Sequence, residues 1–207
     1  MIQLYDSVLI PVLTMAEHDR HKGALDPARQ EFLFLSVKEM LADLPEALKS
    51  APAGTEDLIE PKAEWPAGRV ICVPANDEAD EIGAAMLSQL LELGGCAVLS
   101  LPVDPDVLQM VTVLNPSVDD VICISAIPPF AFSHGRALSR QIRIRFPQTR
   151  LIVGVWGFSG ETGLALERFP APRPAQLVTT LEQALAAVAA SAKGALELTR
   201  AGGLEGS

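Results

Sequence analysis

Basic residues are scarce relative to acidic ones. Lys and Arg together number 16, Asp and Glu number 26, and the formal net charge is −10. That balance argues against nucleic-acid binding through a basic face and against docking on anionic lipid, because the long-range field repels both. Cysteine is also scarce. Cys72, Cys96 and Cys123 cannot build a disulfide framework and none sits in a C-x-x-C pair, which fits a reduced, cytoplasmic compartment. No run of about 18 apolar residues is present, so nothing in this sequence reads as a membrane span. The first turns carry Asp6, Glu17 and Asp19 without a basic leader segment, so no signal peptide is expected. G-x-G-x-x-G, the P-loop and G-x-S-x-G are all missing, and with them the usual signals for dinucleotides, triphosphates and a serine elbow.

What is present is ample core material: 49% apolar and 20% charged residues in a chain of 207, which excludes disorder of the whole. Leu4, Val8, Pro11, Val12 and Met15 recur at helical steps and predict a helix to about His21, with Pro11 kinking it or opening its true first turn. Gly23 reads as its C-cap, and Asp26-Pro27 opens a second helix to about Leu44 carrying Phe32, Leu35, Met40 and Leu41. Residues 1–48 thus form a small helical subdomain. Pro52, Gly54, Pro61 and Pro66 make 49–66 a linker, and the small polar end of the chain makes 195–207 a tail.

Over residues 67–194 the rhythm is strand and helix in alternation. Apolar strands are expected at 69–73, 97–101, 121–125, 151–155 and 177–179. Helices are expected at 77–93, 104–114 (with Asp104 as N-cap), 133–146, 160–168 and 181–192. Continuous apolar strands between helices mean a parallel sheet covered on both faces. The expected fold is α/β, a flavodoxin-like doubly wound five-stranded sheet in the order 2-1-3-4-5.

In such sheets ligands bind beyond the carboxyl ends of the strands. The loop after the first strand carries Asn76, Asp77, Glu78, Asp80, Glu81 and Gly83; the carboxylates favour a helix N-terminus through its dipole and, if converging, would suit a cation. The loop after the third strand runs from Ser125 through Pro128-Pro129 to Phe130, Phe132 and His134. Its paired aromatics either line an apolar pocket or pack over the sheet edge and the N-terminal helices. The loop after the fourth strand contains Gly154, Trp156 and Gly157. His18 and His21 have a spacing that can hold a metal, but a solvated helix end is the better reading without a third ligand. Cys72 and Cys123 fall within central strands and read as inert core.

The stretch Asp77 to Gly83, the run Ile124-Ser125-Ala126 and the run Val153 to Gly157 resemble the three signature loops of cobalamin-binding domains. Leu4-Tyr5-Asp6, Pro11-Val12-Leu13 and the Gly23 turn resemble the helical cap that precedes such domains. The resemblance implies a pocket framed by Asn76, Asp77, Glu78, Asp80, Gly83, Ser125, Phe130, Phe132, Gly154, Trp156 and Gly157. It also implies that Asp80 stands where the family has the cobalt-ligating His, Glu78 where it has Asp, and Trp156 where the nucleotide tail would insert. A carboxylate is a poor replacement for imidazole on cobalt, so no cofactor is expected, with a cobalamin carrier using a modified site as the alternative. A second likeness runs through Leu4 to Pro11, Ala16 to Arg20 and Ser125 to His134, which resemble the cytoplasmic C-terminal extension of autoinducer-2 exporter (PerM-like) family membrane proteins. It implies a non-catalytic regulatory or ligand-sensing domain attached to a membrane-embedded transporter region. A homodimerising scaffold is a further alternative.

Overall fold

The computed structural model describes residues 1–49, 65–104 and 106–202. Most of the expected linker, Pro105 and the last five residues lie outside them. The N-terminal helix is continuous from residue 2 to 21 but not uniform: a short α turn, α1 (Ile2–Leu4), passes into a π-helical segment (Tyr5–Leu9) and then into α2 (Ile10–His21). The wider segment lies just ahead of Pro11, which sits in the first turn of α2 and cannot donate to the preceding turn. The second helix, α3 (Pro27–Lys49), runs past the expected stop at Leu44 with Pro45 inside it.

Beyond it come β1 (Val70–Pro74), α4 (Glu78–Leu93), β2 (Val98–Ser100), α5 (Val107–Val113), β3 (Val121–Ala126) and α6 (Ala131–Arg145), then β4 (Arg150–Val155), α7 (Thr162–Leu166), β5 (Gln176–Val178) and α8 (Leu181–Gly202). All pairings are parallel and the order is β2-β1-β3-β4-β5, the flavodoxin-like layout expected. The two-residue period of the strands divides the core. Val70 and Cys72 join the cluster under α4 and α8, while Ile71 and Val73 join the one under α5, α6 and α7. Tyr5, Leu13, Phe34 and Val37 of the N-terminal helices belong to the first cluster.

Three expectations need correction. The apolar positions chosen for the first helix do share a face, but Leu4, Val8, Pro11 and Met15 are exposed; the buried face is Tyr5, Leu9, Ile10, Leu13 and Ala16. Both sets satisfy helical spacing, so periodicity alone does not choose between them. The N-cap of α5 is Asp106, whose side chain accepts from Leu108 N at 2.8 Å; Asp104 instead accepts from Asp106 N in the turn before it. Helix α8 continues to Gly202, through part of the stretch read as a tail.

Candidate functional site

At the C-terminal edge of β1 the chain turns into α4 through a capping box. Asp77 accepts from Asp80 N, and Asp80 accepts from Asp77 N. Asp80 does more than cap. It is buried, its Oδ2 accepts from Asn76 N at 2.9 Å, and its Oδ1 accepts from Ile127 N at 2.6 Å. One carboxylate therefore ties the loop after β1 to the loop after β3. Burial, with the Asp77 carboxylate beside it, pushes the Asp80 carboxyl well above its usual range, and the backbone donors oppose that shift. Of the other carboxylates in this turn, Glu78 pairs with Lys38 of α3 at 2.7 Å.

Trp156 fills the crevice between the ends of β3 and β4. Its indole is fully buried and Nε1 donates to Ser125 Oγ at 2.7 Å. The ring needs two glycines for its place: a Cβ on Gly154 would meet it at 2.2 Å, and a Cβ on Gly83 would lie 2.8 Å from Ser125 Oγ and 3.1 Å from the indole. Gly157 then turns with φ +74, and its N–H donates to Thr179 O.

Helix α2 lies across this edge. Ile10 and Thr14 stand over Gly157, and Arg20 reaches Asp77 at 2.9 Å. Asp6, one turn before α2, accepts from Leu181 N and Glu182 N and so caps α8 from the far end of the sequence. Glu17 is buried and receives Arg20 through both oxygens. Arg20 Nη2 stands 2.5 Å from Glu17 Oε2, 2.9 Å from Asp77 Oδ2 and 3.0 Å from His21 Nε2. Glu17, His21 and Asp77 offer ligand atoms within 4.8 Å of one another, so the missing third partner of His21 is Asp77. The guanidinium stands among those atoms, and a cation entering there has to displace it. His18 is exposed and is not one of the three.

The two phenylalanines diverge. Phe130, 46% exposed, meets His21 edge-on at 4.7 Å and tilts towards His134 at 6.0 Å, whereas Phe132 packs edge-on against Phe158 at 4.8 Å. They do not pair to line one pocket; Phe130 packs against the N-terminal helix, as the second of the two sequence readings has it. Burial lowers the His134 pKa, with His21 and Arg20 adding to the fall and Asp77 and Glu17 opposing it. Cys72 and Cys123 are buried, and burial raises the Cys72 thiol to about 12, as inert core thiols require.

The structure thus brings Asp77, Asp80, Gly83, Ser125, Trp156 and Gly154 into one packed layer with Arg20, Glu17 and His21 above it. Asn76 is exposed beside that layer. Sequence reading missed Arg20, Glu17 and Asp6 as site residues; the acidic run after β1 was the available signal, since carboxylates there call for a cation. No protein-family model matches the chain, and no curated protein matches it.

Proposed function

We propose that the chain is a non-catalytic regulatory or ligand-sensing domain that works on the cytoplasmic side of a membrane-embedded transporter region. The observation that carries this reading is the closed edge: α2 is held across the fold's usual ligand position by Arg20 on Asp77 and by Asp6 on the N-terminus of α8. A small molecule that binds there competes with those contacts, so binding is converted into displacement of a helix. The polar groups of the edge are already committed. Ser125 Oγ accepts from Trp156, and the Asp80 oxygens accept from backbone donors, which supports a structural role for both over nucleophile or base.

Cobalamin does not fit these residues. The position of the family's axial His holds Asp80, whose oxygens face backbone N–H groups of two loops, and the slot for the nucleotide tail holds the Trp156 ring. The reading therefore needs no cofactor. Aquocobalamin or adenosylcobalamin added to the protein should leave the visible spectrum unshifted, and the natural gene product should fractionate with membranes. A stoichiometric spectral shift would overturn the first part, and recovery only in the soluble fraction the second.

A dimerising scaffold has one observation in its favour. Val8 and Met15 on the first helix and Phe32, Leu35 and Met40 on α3 are exposed apolar side chains, Phe32 at 73%. Light scattering decides it: a dimer that survives dilution and is lost on Met15→Glu/Phe32→Glu favours the scaffold.

A further inference from the structure

Charge is segregated along this chain. Between residues 121 and 175 lie seven arginines, no lysine, and only Glu161 and Glu167 as acids. That segment carries +5, leaving −15 on the rest of a chain whose total is −10. Elsewhere Arg20, Arg29, Lys38 and Arg69 each form an ion pair with a carboxylate. Among the described residues none of the seven arginines does.

Several of them share a surface. Arg136, Arg140 and Arg143 follow one side of α6 at helical spacing. Arg140, Arg143 and Ile144 line a groove of about 290 Å³ whose other wall is Pro170, Ala171 and Pro172. Arg143 fastens helix to wall: its Nη2 donates to Arg173 O at 3.1 Å, and its Nη1 donates to Thr149 O. Arg140, Arg168 and Arg173 are exposed, and Ile144 between them is 68% exposed. The result is a basic rim around a shallow apolar floor.

We propose that this face, formed by α6 and the 168–173 segment, docks on an anionic lipid surface. The proposal rests on the reading that the domain works beside a membrane. The overall negative charge does not forbid it: the Debye length is about 8 Å at physiological ionic strength, while a chain of this size is about 40 Å across. A surface in contact with the arginines is therefore screened from the acidic far side. An anionic bilayer offers charge to exposed guanidinium groups outside the groove as well as apolar depth to Ile144 and the prolines, and juxtamembrane basic residues add favourably on such surfaces. The part of α6 involved leads into β4, so docking places the N-terminal edge of the sheet toward the lipid and leaves α2 on the solvent side.

The experiment is co-sedimentation of the full chain with vesicles of phosphatidylcholine alone or mixed with phosphatidylserine. Binding is expected only to the mixed vesicles, lost in high salt, and weakened about tenfold or more in Arg140→Ser/Arg173→Ser, while Arg29→Ser, an exposed site on α3, binds as wild type. All three proteins should melt alike. No binding to mixed vesicles, or equal binding by the double variant, overturns the proposal. Capture of soluble polyglutamate in place of vesicles also overturns it, by marking the face as a site for acidic protein. Recovery of the natural gene product in salt-washed membranes reads the transporter link separately, so failure of the vesicle assay and failure of that link are distinguishable.

Discussion

The side chain of Gln89 donates from Nε2 to the carbonyl oxygen of Leu41 at 2.8 Å. That carbonyl is the one Pro45, four residues on and inside α3, cannot serve, because proline has no N–H. The same amide accepts through Oε1 from the buried Tyr5 hydroxyl. One residue of α4 thus supplies the bond that lets α3 run through a proline, and it joins both N-terminal helices to the sheet layer. Gln89→Ala should cost about 2 kcal/mol, since it strands a phenol and a carbonyl. In a Pro45→Ala background the helix makes its own bond to Leu41 O, and the same substitution should cost less. A double-mutant cycle in urea reads the difference, expected at about 1 kcal/mol; strict additivity would contradict the role given to Gln89.

Arg20 is the second joint. Its guanidinium neutralises the buried Glu17 and the half-buried Asp77, and removing it leaves the Glu17 carboxylate in the core with the His21 imidazole at 3.3 Å in place of a permanent charge. Arg20→Met should destabilise by about 3 kcal/mol and should speed amide exchange in α2 ahead of exchange in β1 and β3. Lys38→Met breaks an exposed pair with Glu78 and should cost less than about 1 kcal/mol. Equal losses from the two variants would mean that Arg20 is no more than a surface charge.

The sheet and its order were readable because parallel strands, covered on both faces, are short apolar runs set between capping residues. Val121–Ala126 and Arg150–Val155 show this directly. Trp156 stood out only through the resemblance to cobalamin-binding domains, since one of the two glycines that make room for the ring, Gly83, lies on another element. The orientation of the first helix was not readable. Leu4, Val8, Pro11 and Met15 compete with Tyr5, Leu9, Leu13 and Ala16 on equal periodicity, and only contact with α4 and the loop after β4 selects the second set. The joints were hidden for another reason: Gln89 lies 48 residues from Leu41, and Asp6 lies 175 from Leu181. No local pattern spans such distances. The two carboxylates before α5 were ambiguous because Asp104 and Asp106 are chemically identical caps, and geometry alone assigns Asp106.

Asp80 distinguishes a structural carboxylate from a lost metal ligand. Asp80→His restores the residue of the cobalamin-binding signature but removes the acceptor of Asn76 N and Ile127 N. The expected outcome is a loss of about 3 kcal/mol or more, from buried donors left unpaired, and no gain of cobalamin binding by visible spectroscopy. A variant that folded as well as wild type and bound the corrinoid would show that the two loops do not depend on this carboxylate.

His134 gives the edge a pH signature. Its folded-state pKa lies below the ordinary 6.5, first because of burial and then because of His21 and Arg20, with Asp77 and Glu17 acting in the opposite sense. A histidine whose pKa is lowered on folding binds its proton more readily in the unfolded chain. Its contribution to stability is therefore complete above pH 6.5 and is lost as pH falls from there through the folded-state value. The imidazole C–H resonances should titrate with a midpoint below 6.5. Asp77→Asn, which removes the leading opposing charge, should move that midpoint lower still, and Arg20→Met should raise it. Denaturant titrations across the same range should flatten in His134→Gln. A midpoint at 6.5 that neither neighbour moves would place His134 in open solvent, away from the layer in which α2, Asp77 and Phe130 meet.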